Sequence, residues 1–278
     1  MLLRSLRNSP AARAAFSTMA DSKIALSPAE FRAFRITNVE TVSPNTKKVV
    51  FSLPSAEHEM GLTVASCLVA KATIDGEPVI RPYTPINLNS EKGFLELVVK
   101  GYPNGKLSKH IVELKVGDEL EMKGPFVKFE YKPNHFSRVG LIAGGSGITP
   151  AYQVIKQVVS DATDATQVDL IFANNTEEDI LLRKELDAIA AQHSNVRVHY
   201  VLTKPSEGWT GHVGFVTPEL VKKVLPAPDA EGKILVGVCG PPPMMEAISG
   251  DKNPDKTQGE LRGFLKELQY TSEQVFKF

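Results

Sequence analysis

The stretch that decides the fold runs from Arg138 to Pro150 and reads RVGLIAGGSGITP. Its first half is a continuous apolar run, which is typical of a strand buried on both faces of a parallel sheet. The glycines follow, and TPAYQVIKQVVS then has the apolar spacing of a helix with proline in its first turn. Such a glycine-rich turn lets the backbone approach a ligand, and the helix N-terminus favours an anionic or electron-rich group.

Three better-known motifs do not fit these glycines. A GxGxxG dinucleotide turn would need glycine at Pro150, and a P-loop would need a Gly-Lys pair. A nucleophile elbow centred on Ser146 would need glycine at Ile148. The hydrolase interpretation of Ser146 is therefore excluded.

Strands and helices alternate from this point to the C-terminus. VDLIFANN, VRVHYVLT and KILVGVCG are predicted strands, and EEDILLRKELDAIAAQ, TPELVKKVL, PPPMMEAI and GELRGFLKEL are predicted helices. This alternation predicts a Rossmann-like α/β domain over residues 138–278, with a parallel sheet covered on both faces. The loop CGPPPMM begins at Cys239, after a strand, so it and the glycine turn are expected to face one crevice.

Residues 31–132 have a different rhythm, because short β-rich runs alternate with turns. FRAFRITNVETV, KKVVFSLP, TVASCLVAKATI, PVIRPYTPI, GFLELVVK and DELEMKGPF are predicted strands, and Asp75-Gly76 is a predicted hairpin turn. Residues 105–114 have helical spacing. An antiparallel β-barrel with one small helix is the economical interpretation, and the domain boundary falls near residues 131–137.

Two loops of this predicted barrel contain residue types suited to a cofactor. RPYTP, at residues 81–85, offers a guanidinium for a pyrophosphate, a flat aromatic face and a hydroxyl for a ring nitrogen. The same residues also fit an edge strand ended by proline. KGYPNGKLS, at residues 100–108, could hold a phosphate oxygen on backbone N–H groups after Gly105, or could form only a hairpin loop.

The bulk composition narrows the function. Lys+Arg and Asp+Glu both number 32 in 278 residues, so the basic excess typical of nucleic-acid-binding proteins is missing. Two distant cysteines, Cys67 and Cys239, and six scattered histidines show no metal-ligand spacing, so no metal site is predicted. No segment is long and apolar enough to predict a transmembrane span.

The first twenty residues have the composition of a mitochondrial presequence. MLLRSLRNSPAARAAFSTMA carries three arginines and no acidic residue, and such a helix binds anionic membranes and import receptors. A disordered basic tail is the alternative. Removal of residues 1–18 leaves 29 basic residues against 32 acidic ones, a net charge of −3. Met19 could also start a cytosolic form.

Six motifs together carry a family resemblance. RPYTP, GKLS, GGSGITP, ANNTEEDILLRKEL, EGWTGHVGFV and CGPPPMM occur in the order seen in the NADH–cytochrome b5 reductases, within the ferredoxin–NADP reductase-like superfamily. The chain resembles this family over residues 31–278. The resemblance implies a FAD-binding barrel, an NADH-binding α/β domain, hydride transfer from NADH to FAD, and single-electron transfer to a haem protein, with cytochrome b5 the expected acceptor.

Other readings of the same fold stay open. One is a flavin reductase with a different acceptor, such as nitrate reductase or a ferredoxin-like protein. Another is a non-enzymatic nucleotide-binding module, which should have lost the flavin arginine or the nicotinamide loop. We expect a monomer.

By this resemblance, three residues belong at the reaction centre. Thr84 lies near flavin N5, Thr149 lies between flavin and nicotinamide, and Cys239 places the nicotinamide, although a lone cysteine can also be a buried structural thiol. On the FAD side the resemblance implies contacts from Arg81, Pro82, Tyr83, Val98, Lys100, Tyr102, Gly105, Lys106, Leu107 and Ser108. On the nicotinamide side it implies contacts from Gly144, Gly145, Gly147, Pro150, Gly240, Pro241, Met244 and Phe278.

Two positions depart from the family pattern. Ala65-Ser66-Cys67 stands where relatives have a Gly-Gln-His/Tyr-like turn that contacts the flavin. Thr203 stands where animal members carry an aspartate that repels a 2′-phosphate, but no arginine cluster follows it, so we still expect NADH. An acidic haem protein would be steered by a basic rim, and the lysines that could form one are Lys47, Lys48, Lys106 and Lys109.

Overall fold

The computed structural model describes residues 23–127 and 129–278, which form two six-stranded sheets. The predicted presequence, residues 1–20, lies outside the described residues. Within the described ranges, no helix has the length and apolar character needed to cross a bilayer.

The first sheet is antiparallel. Its strands are β1 (Arg32–Ser43), β2 (Thr46–Ser52), β3 (Cys67–Ile74), β4 (Glu77–Tyr83), β5 (Phe94–Lys100) and β6 (Glu119–Phe126). Side chains alternate between an inner and an outer face, as in β2, where Val49 and Phe51 are buried and Val50 between them is partly exposed. The predicted hairpin is confirmed, because β3 and β4 pair around Asp75 and Gly76, which both have positive φ.

A single helix covers the gap between the edges of this sheet. The strand order β4-β3-β6-β1-β2-β5 leaves β4 and β5 at the two edges. Helix α1 (Lys106–Glu113) packs against both edge strands. Its buried residues, Leu107 and Ile111, lie one turn apart and join the core formed by Phe51, Leu95 and Met122. The predicted antiparallel barrel with one small helix is confirmed.

The second sheet is parallel, with the strand order β10-β9-β8-β7-β11-β12. Its strands are β7 (Arg138–Gly144), β8 (Gln167–Asn174), β9 (Val196–Leu202), β10 (His212–Val213), β11 (Ile234–Cys239) and β12 (Val275–Lys277). Its helices are α2 (Ile148–Ser160), α3 (Arg183–Gln192), α4 (Pro218–Val224), α5 (Pro242–Ile248) and α6 (Gly263–Glu267). Ile155 of α2 and Leu186 of α3 pack in one core cluster, whereas Leu220 of α4 and Met245 of α5 pack in another. The predicted α/β sheet is confirmed.

Two predicted helices begin later than expected. The helix predicted from Gly259 is only the short α6, which begins at Gly263. The other is α3. Residues 177–179 form a single 3-10 turn closed by a capping box, and α3 begins only at Arg183. Leu182 has a φ of +56°, a left-handed conformation that interrupts a continuous helix. Ile180 and Leu181 are buried by this interruption. Burial of apolar side chains therefore outweighs local helix propensity here.

The segment that joins the two sheets is anchored to the second domain. Tyr131 lies in this segment, and its hydroxyl donates to Asp164 Oδ2 at 2.6 Å. The Thr166 hydroxyl donates to Asp164 Oδ1 at 2.7 Å, and the Asn134 N–H donates to the same oxygen at 3.1 Å. Asp164 is buried but well supplied with donors, so the network holds the joining segment against the second sheet.

Candidate functional site

The glycine turn and the Cys239 loop meet at the carboxyl edge of the second sheet. β7 and β11 are neighbours, with Ala143 opposite Cys239, and the strand order reverses between them. A Cβ on Gly147 would clash with the Cys239 carbonyl oxygen, and a Cβ on Gly144 would lie 2.5 Å from Met244 Sδ. Only glycine allows the two loops to approach this closely. Open α/β sheets bind ligands in the crevice outside such a reversal of strand order.

The glycine turn leads directly into α2. Gly145 has a φ of +53°, and residues 145–147 form one 3-10 turn. Thr149 is buried, and its hydroxyl donates to the Ser146 carbonyl at 3.4 Å. Pro150 lies in the first turn, where its missing N–H leaves no hydrogen bond unmade. The N-terminus of α2, which is the positive end of the helix dipole, therefore lies beside the Cys239 loop.

The Cys239 thiol is suited to contact rather than to nucleophilic attack. Cys239 ends β11, and Gly240 and Pro241 lead from it into α5. Burial raises the pKa of the thiol to about 11, so it keeps its proton at neutral pH. Only the thiolate is a strong nucleophile. A protonated thiol can still pack against a ligand or form a weak hydrogen bond with it.

The RPYTP motif lies at the end of β4, an edge strand. Arg81 is exposed, donates to the Ile80 carbonyl at 2.7 Å and forms no ion pair with any described residue, so its charge is available to an anion. Tyr83 is partly buried, and burial raises the pKa of its hydroxyl to about 12. Pro82 occupies an edge position that needs no ladder donor. The geometry thus accommodates both a ligand site and a simple strand end.

Helix α1 packs against β4, the strand that carries the start of the RPYTP motif. Gly105 caps the helix, and a Cβ at this position would clash with the Ser108 hydroxyl. That hydroxyl lies 3.5 Å from the Tyr102 N–H. The first turn has no acidic residue, Leu107 is buried and Lys106 is exposed. A helix N-terminus combined with an exposed ammonium suits a phosphate.

Polar and apolar contacts join the two domains beside these loops. Lys100 Nζ lies 2.6 Å from Asp179 Oδ1, and both side chains are mostly buried. Burial acts to raise the pKa of Asp179, but the hydrogen bond and charge of Lys100 outweigh it and hold that pKa below its ordinary value. The Tyr102 hydroxyl lies 2.9 Å from Ser146 Oγ, and Val98 packs in a core shared by both domains. The family resemblance implies that Lys100 lies near FAD, but no sequence pattern indicates its ion pair with Asp179.

Two buried amides at this region were also missed from the sequence. Gln153 of α2 donates to backbone carbonyls of the first domain. Asn174 ends β8, and neither its Nδ2 nor its Oδ1 has a hydrogen-bond partner among the described residues. A buried, unpaired amide at a ligand-binding edge fits a polar ligand group placed there. The available signal was the polar Asn174 at the end of the apolar run DLIFAN.

Further residues lie at or near the same edge of the sheet. The Thr203 hydroxyl donates to Asn175 Oδ1 at 3.1 Å, and both residues follow carboxyl ends of strands. Phe215 follows β10 and is 79% exposed, which leaves an open aromatic face. Phe278 packs edge-on against Phe129, and its N–H donates to the Val238 carbonyl. Phe278 therefore lies beside the strand that ends in Cys239.

Comparison with known proteins gives a family for both halves of the chain. Residues 33–131 match the oxidoreductase FAD-binding domain, and residues 141–250 match the oxidoreductase NAD-binding domain. The NADH-cytochrome b5 reductase-like protein of Arabidopsis thaliana is 48% identical over 263 residues, which are 92% of this chain and 79% of that protein. NADH-cytochrome b5 reductase 2 of Coccidioides immitis is 47% identical over 247 residues, covering 88% and 76%.

Solved structures agree with this assignment. The cytochrome b5 reductase domain of Ulva prolifera nitrate reductase has a TM-score of 0.81 and 31% sequence identity, covering 92% of this chain and 100% of that one. The CS-b5R domains of human Ncb5or, in the NAD+ form, have a TM-score of 0.75 at 23% identity, covering 90% and 69%. The second likeness supports the fold alone.

Proposed function

Because the chain belongs to the NADH-cytochrome b5 reductase family, we propose that it oxidises NADH with the help of bound FAD and delivers electrons singly to cytochrome b5. The observation that carries the proposal is the contact of the glycine turn with the Cys239 loop, at a crevice that also borders the first domain. When bound, FAD supplies the conversion between a two-electron donor and a one-electron acceptor. The protein supplies position and electrostatics.

The first domain has residues that fit FAD. Arg81 and the N-terminus of α1 are both electropositive, so together they would hold the pyrophosphate. Tyr83 would pack its flat face against the ring system, and the Thr84 hydroxyl would hydrogen-bond near flavin N5. The remaining contacts that we assign to this domain come from Pro82, Val98, Tyr102, Gly105, Lys106, Leu107 and Ser108. Lys100 would also contact FAD, held in place by its ion pair with Asp179.

The second domain has residues that fit the nicotinamide dinucleotide. Thr149 and Cys239 would contact the nicotinamide from the two loops that meet in the crevice. The Cys239 thiol keeps its proton at neutral pH, so its role is contact. The unpaired amide of Asn174 would hydrogen-bond a polar group of the dinucleotide. The other residues that we assign to this site are Gly144, Gly145, Gly147, Pro150, Gly240, Pro241, Met244 and Phe278.

Docking of an acidic haem protein would use the exposed lysines of α1. Lys48 is paired with Glu40, and Lys47 donates to the Thr41 hydroxyl at 2.6 Å, so both are already engaged. Lys106 and Lys109 are exposed and have no ion pair among the described residues. Opposite charges steer such encounters, and added salt screens them.

The test is NADH-driven reduction of oxidised cytochrome b5 by the purified protein. Fast reduction that slows as salt is added supports the proposed acceptor. A ferredoxin and the haem domain of a nitrate reductase serve as competing acceptors. Faster reduction of either one than of cytochrome b5 would favour the alternative with the same fold and a different partner.

We also propose that residues 1–20 direct the protein to mitochondria and that the mature protein is a monomer. The proposal of mitochondrial targeting rests on the arginines and the lack of acidic residues in this segment. A fluorescent protein fused after residue 22 should reach mitochondria, whereas a fusion that starts at Met19 should stay in the cytosol. Light scattering should give a mass close to that of one chain, and twice that mass would contradict the monomer.

A further inference from the structure

Gln153 links the two domains through its side-chain amide. Its Nε2 lies 2.7 Å from the Pro85 carbonyl oxygen and 2.6 Å from the Asn87 carbonyl oxygen. Both partners are carbonyl oxygens, which only accept hydrogen bonds. The amide NH2 group of Gln153 must therefore donate both bonds, one from each of its N–H groups. Gln153 is only 5% exposed, which means that water cannot replace these bonds without opening the domain boundary.

The segment held by Gln153 directly follows Thr84. Residues 85–88 are all buried. On the barrel side, Asn87 fixes the same segment to β5: its Nδ2 donates to the Phe94 carbonyl at 3.0 Å, and its Oδ1 accepts from the Glu96 N–H at 2.9 Å. The segment is thus held firmly to the barrel by Asn87 and to the second domain by Gln153. A displacement of Gln153 cannot be absorbed by a loose loop.

On the side of the second domain, Gln153 lies on the same helix as Thr149. Thr149 and Gln153 are four residues apart on α2, so they lie on one helix face about one turn, or ~6 Å, apart. A second contact from the same helix, Lys156 Nζ to Glu91 Oε2 at 2.6 Å, lies beyond Gln153 and is more exposed. Gln153 therefore forms a buried bridge that is close along the chain to both threonines, four residues from Thr149 on its own side and bonded to Pro85, the neighbour of Thr84, on the other.

We propose that Gln153 is a positioning residue that sets the distance between the flavin-contacting segment at Thr84 and the nicotinamide-contacting end of α2 at Thr149. This inference rests on the proposed function, because the two threonines matter only if FAD and NADH bind there. Hydride transfer depends steeply on the separation of donor and acceptor, and misplacement by about 1 Å can slow a reaction about hundredfold. Gln153 acts on that separation without touching either ligand.

The test compares Gln153→Met with Gln157→Met. Methionine keeps the length of glutamine and removes the two donors. Gln157 lies one turn further along α2, and its side chain makes no hydrogen bond to the described part of the chain, so it is the matched control. The first readout is the limiting rate at which NADH reduces the bound flavin without oxygen, measured with NADH and with NADH deuterated at the transferred position. The dependence of this rate on NADH concentration also gives the Kd for NADH. The second readout is hydrogen exchange of residues 85–91 in the protein without FAD.

In Gln153→Met we expect the limiting rate of flavin reduction to fall about ten- to hundredfold, with an isotope effect that shows hydride transfer to be the slow step. The Kd for NADH should stay within about twofold of that of the unmodified protein, and FAD should remain bound. Exchange of residues 85–91 should rise at least about fivefold, which is the factor for one net hydrogen bond, because two hydrogen bonds are lost. Gln157→Met should match the unmodified protein in both readouts. An unchanged limiting rate in Gln153→Met, or an equal fall in Gln157→Met, overturns the proposal.

Gln153→Asn keeps the test decisive if the methionine variant loses FAD. Asparagine retains the amide but is one methylene shorter, so it cannot reach both carbonyls, and the expected result is a smaller fall in the limiting rate with FAD bound. A rate equal to that of the unmodified protein contradicts the proposal. If the unmodified protein itself shows no reduction by NADH, the proposed function fails, and the exchange measurement alone then reports whether Gln153 holds the segment.

Discussion

The carbonyl oxygen of Cys239 occupies the space that a Cβ on Gly147 would need. The two residues belong to loops that follow β7 and β11, neighbouring strands at which the order of the parallel sheet reverses. Backbone contact between the loops closes one side of the crevice and leaves the N-terminus of α2 beside it. The site therefore depends on a missing side chain as much as on the groups that are present.

Gly147→Ala should lower kcat/KM for NADH about ten- to hundredfold, because the added methyl group forces the two loops apart. Gly145→Ala is the matched comparison. Its Cβ would have only the Tyr102 hydroxyl nearby, at 3.8 Å, so it adds backbone strain of about 1 kcal/mol at φ +53° without the clash. Steady-state kinetics with an artificial electron acceptor shows which of the two variants loses more of its kcat/KM for NADH. A larger effect at Gly145 than at Gly147 would contradict the close approach of the loops.

The Cys239 thiol should react slowly with iodoacetamide at neutral pH. Burial raises its pKa from an ordinary 9.0 to about 11, so the thiolate fraction is about hundredfold lower than that of an exposed cysteine. The rate should climb about tenfold per pH unit and level off only near pH 11. Mass spectrometry of modified peptides gives the rate, and Cys239→Ala identifies the signal that belongs to Cys67. Rapid labelling of Cys239 at pH 7.5 would show that the thiol is not buried as described.

Thr203→Asp should sharpen the preference for NADH over NADPH. A carboxylate at the carboxyl end of β9 can accept hydrogen bonds from the adenosine ribose and repels a 2′-phosphate. We expect the ratio of kcat/KM for the two donors to rise about tenfold, a change of about 1.4 kcal/mol. Thr203→Val removes the hydrogen bond to Asn175 without adding charge, so its ratio should stay unchanged. An unaltered ratio in Thr203→Asp would place the 2′-position of the ribose elsewhere.

Tyr131→Phe should lower the free energy of unfolding by about 1–3 kcal/mol, because it leaves the buried Asp164 without one of its donors. Tyr102→Phe removes an exposed hydroxyl that bonds Ser146, and its cost should stay below about 1 kcal/mol. Urea unfolding of the two variants gives the comparison. Equal costs would mean that the Tyr131 network does not anchor the second domain.

Features that depend on adjacent residues could be predicted from the sequence. Asp75-Gly76 was predictable as a hairpin turn because positive φ suits both residues. The glycine turn at residues 144–147 was predictable because a buried strand leads into it and a helix leads out. The alternation of strands and helices made the parallel sheet predictable for the same reason. Such patterns are local and need no knowledge of the rest of the chain.

Features that depend on distant contacts could not be predicted in this way. The left-handed Leu182 breaks a segment of good helix formers because two preceding side chains are buried. β10 and β12 have two and three residues, too few to show a period. Lys100 and Gln153 acquire their roles from partners 79 and at least 66 residues away. Cofactor contacts of individual residues came from family resemblance and stay predictions.

NADH oxidation through bound FAD is tested most directly by anaerobic mixing of the purified protein with NADH while the visible spectrum is followed. We expect flavin absorbance bands that NADH bleaches rapidly and NADPH bleaches slowly. Addition of oxidised cytochrome b5 should then restore the bands and reduce the haem. A protein that is colourless and cannot be reconstituted with FAD, or flavin bands that NADH leaves unchanged, would contradict a FAD-dependent oxidation of NADH.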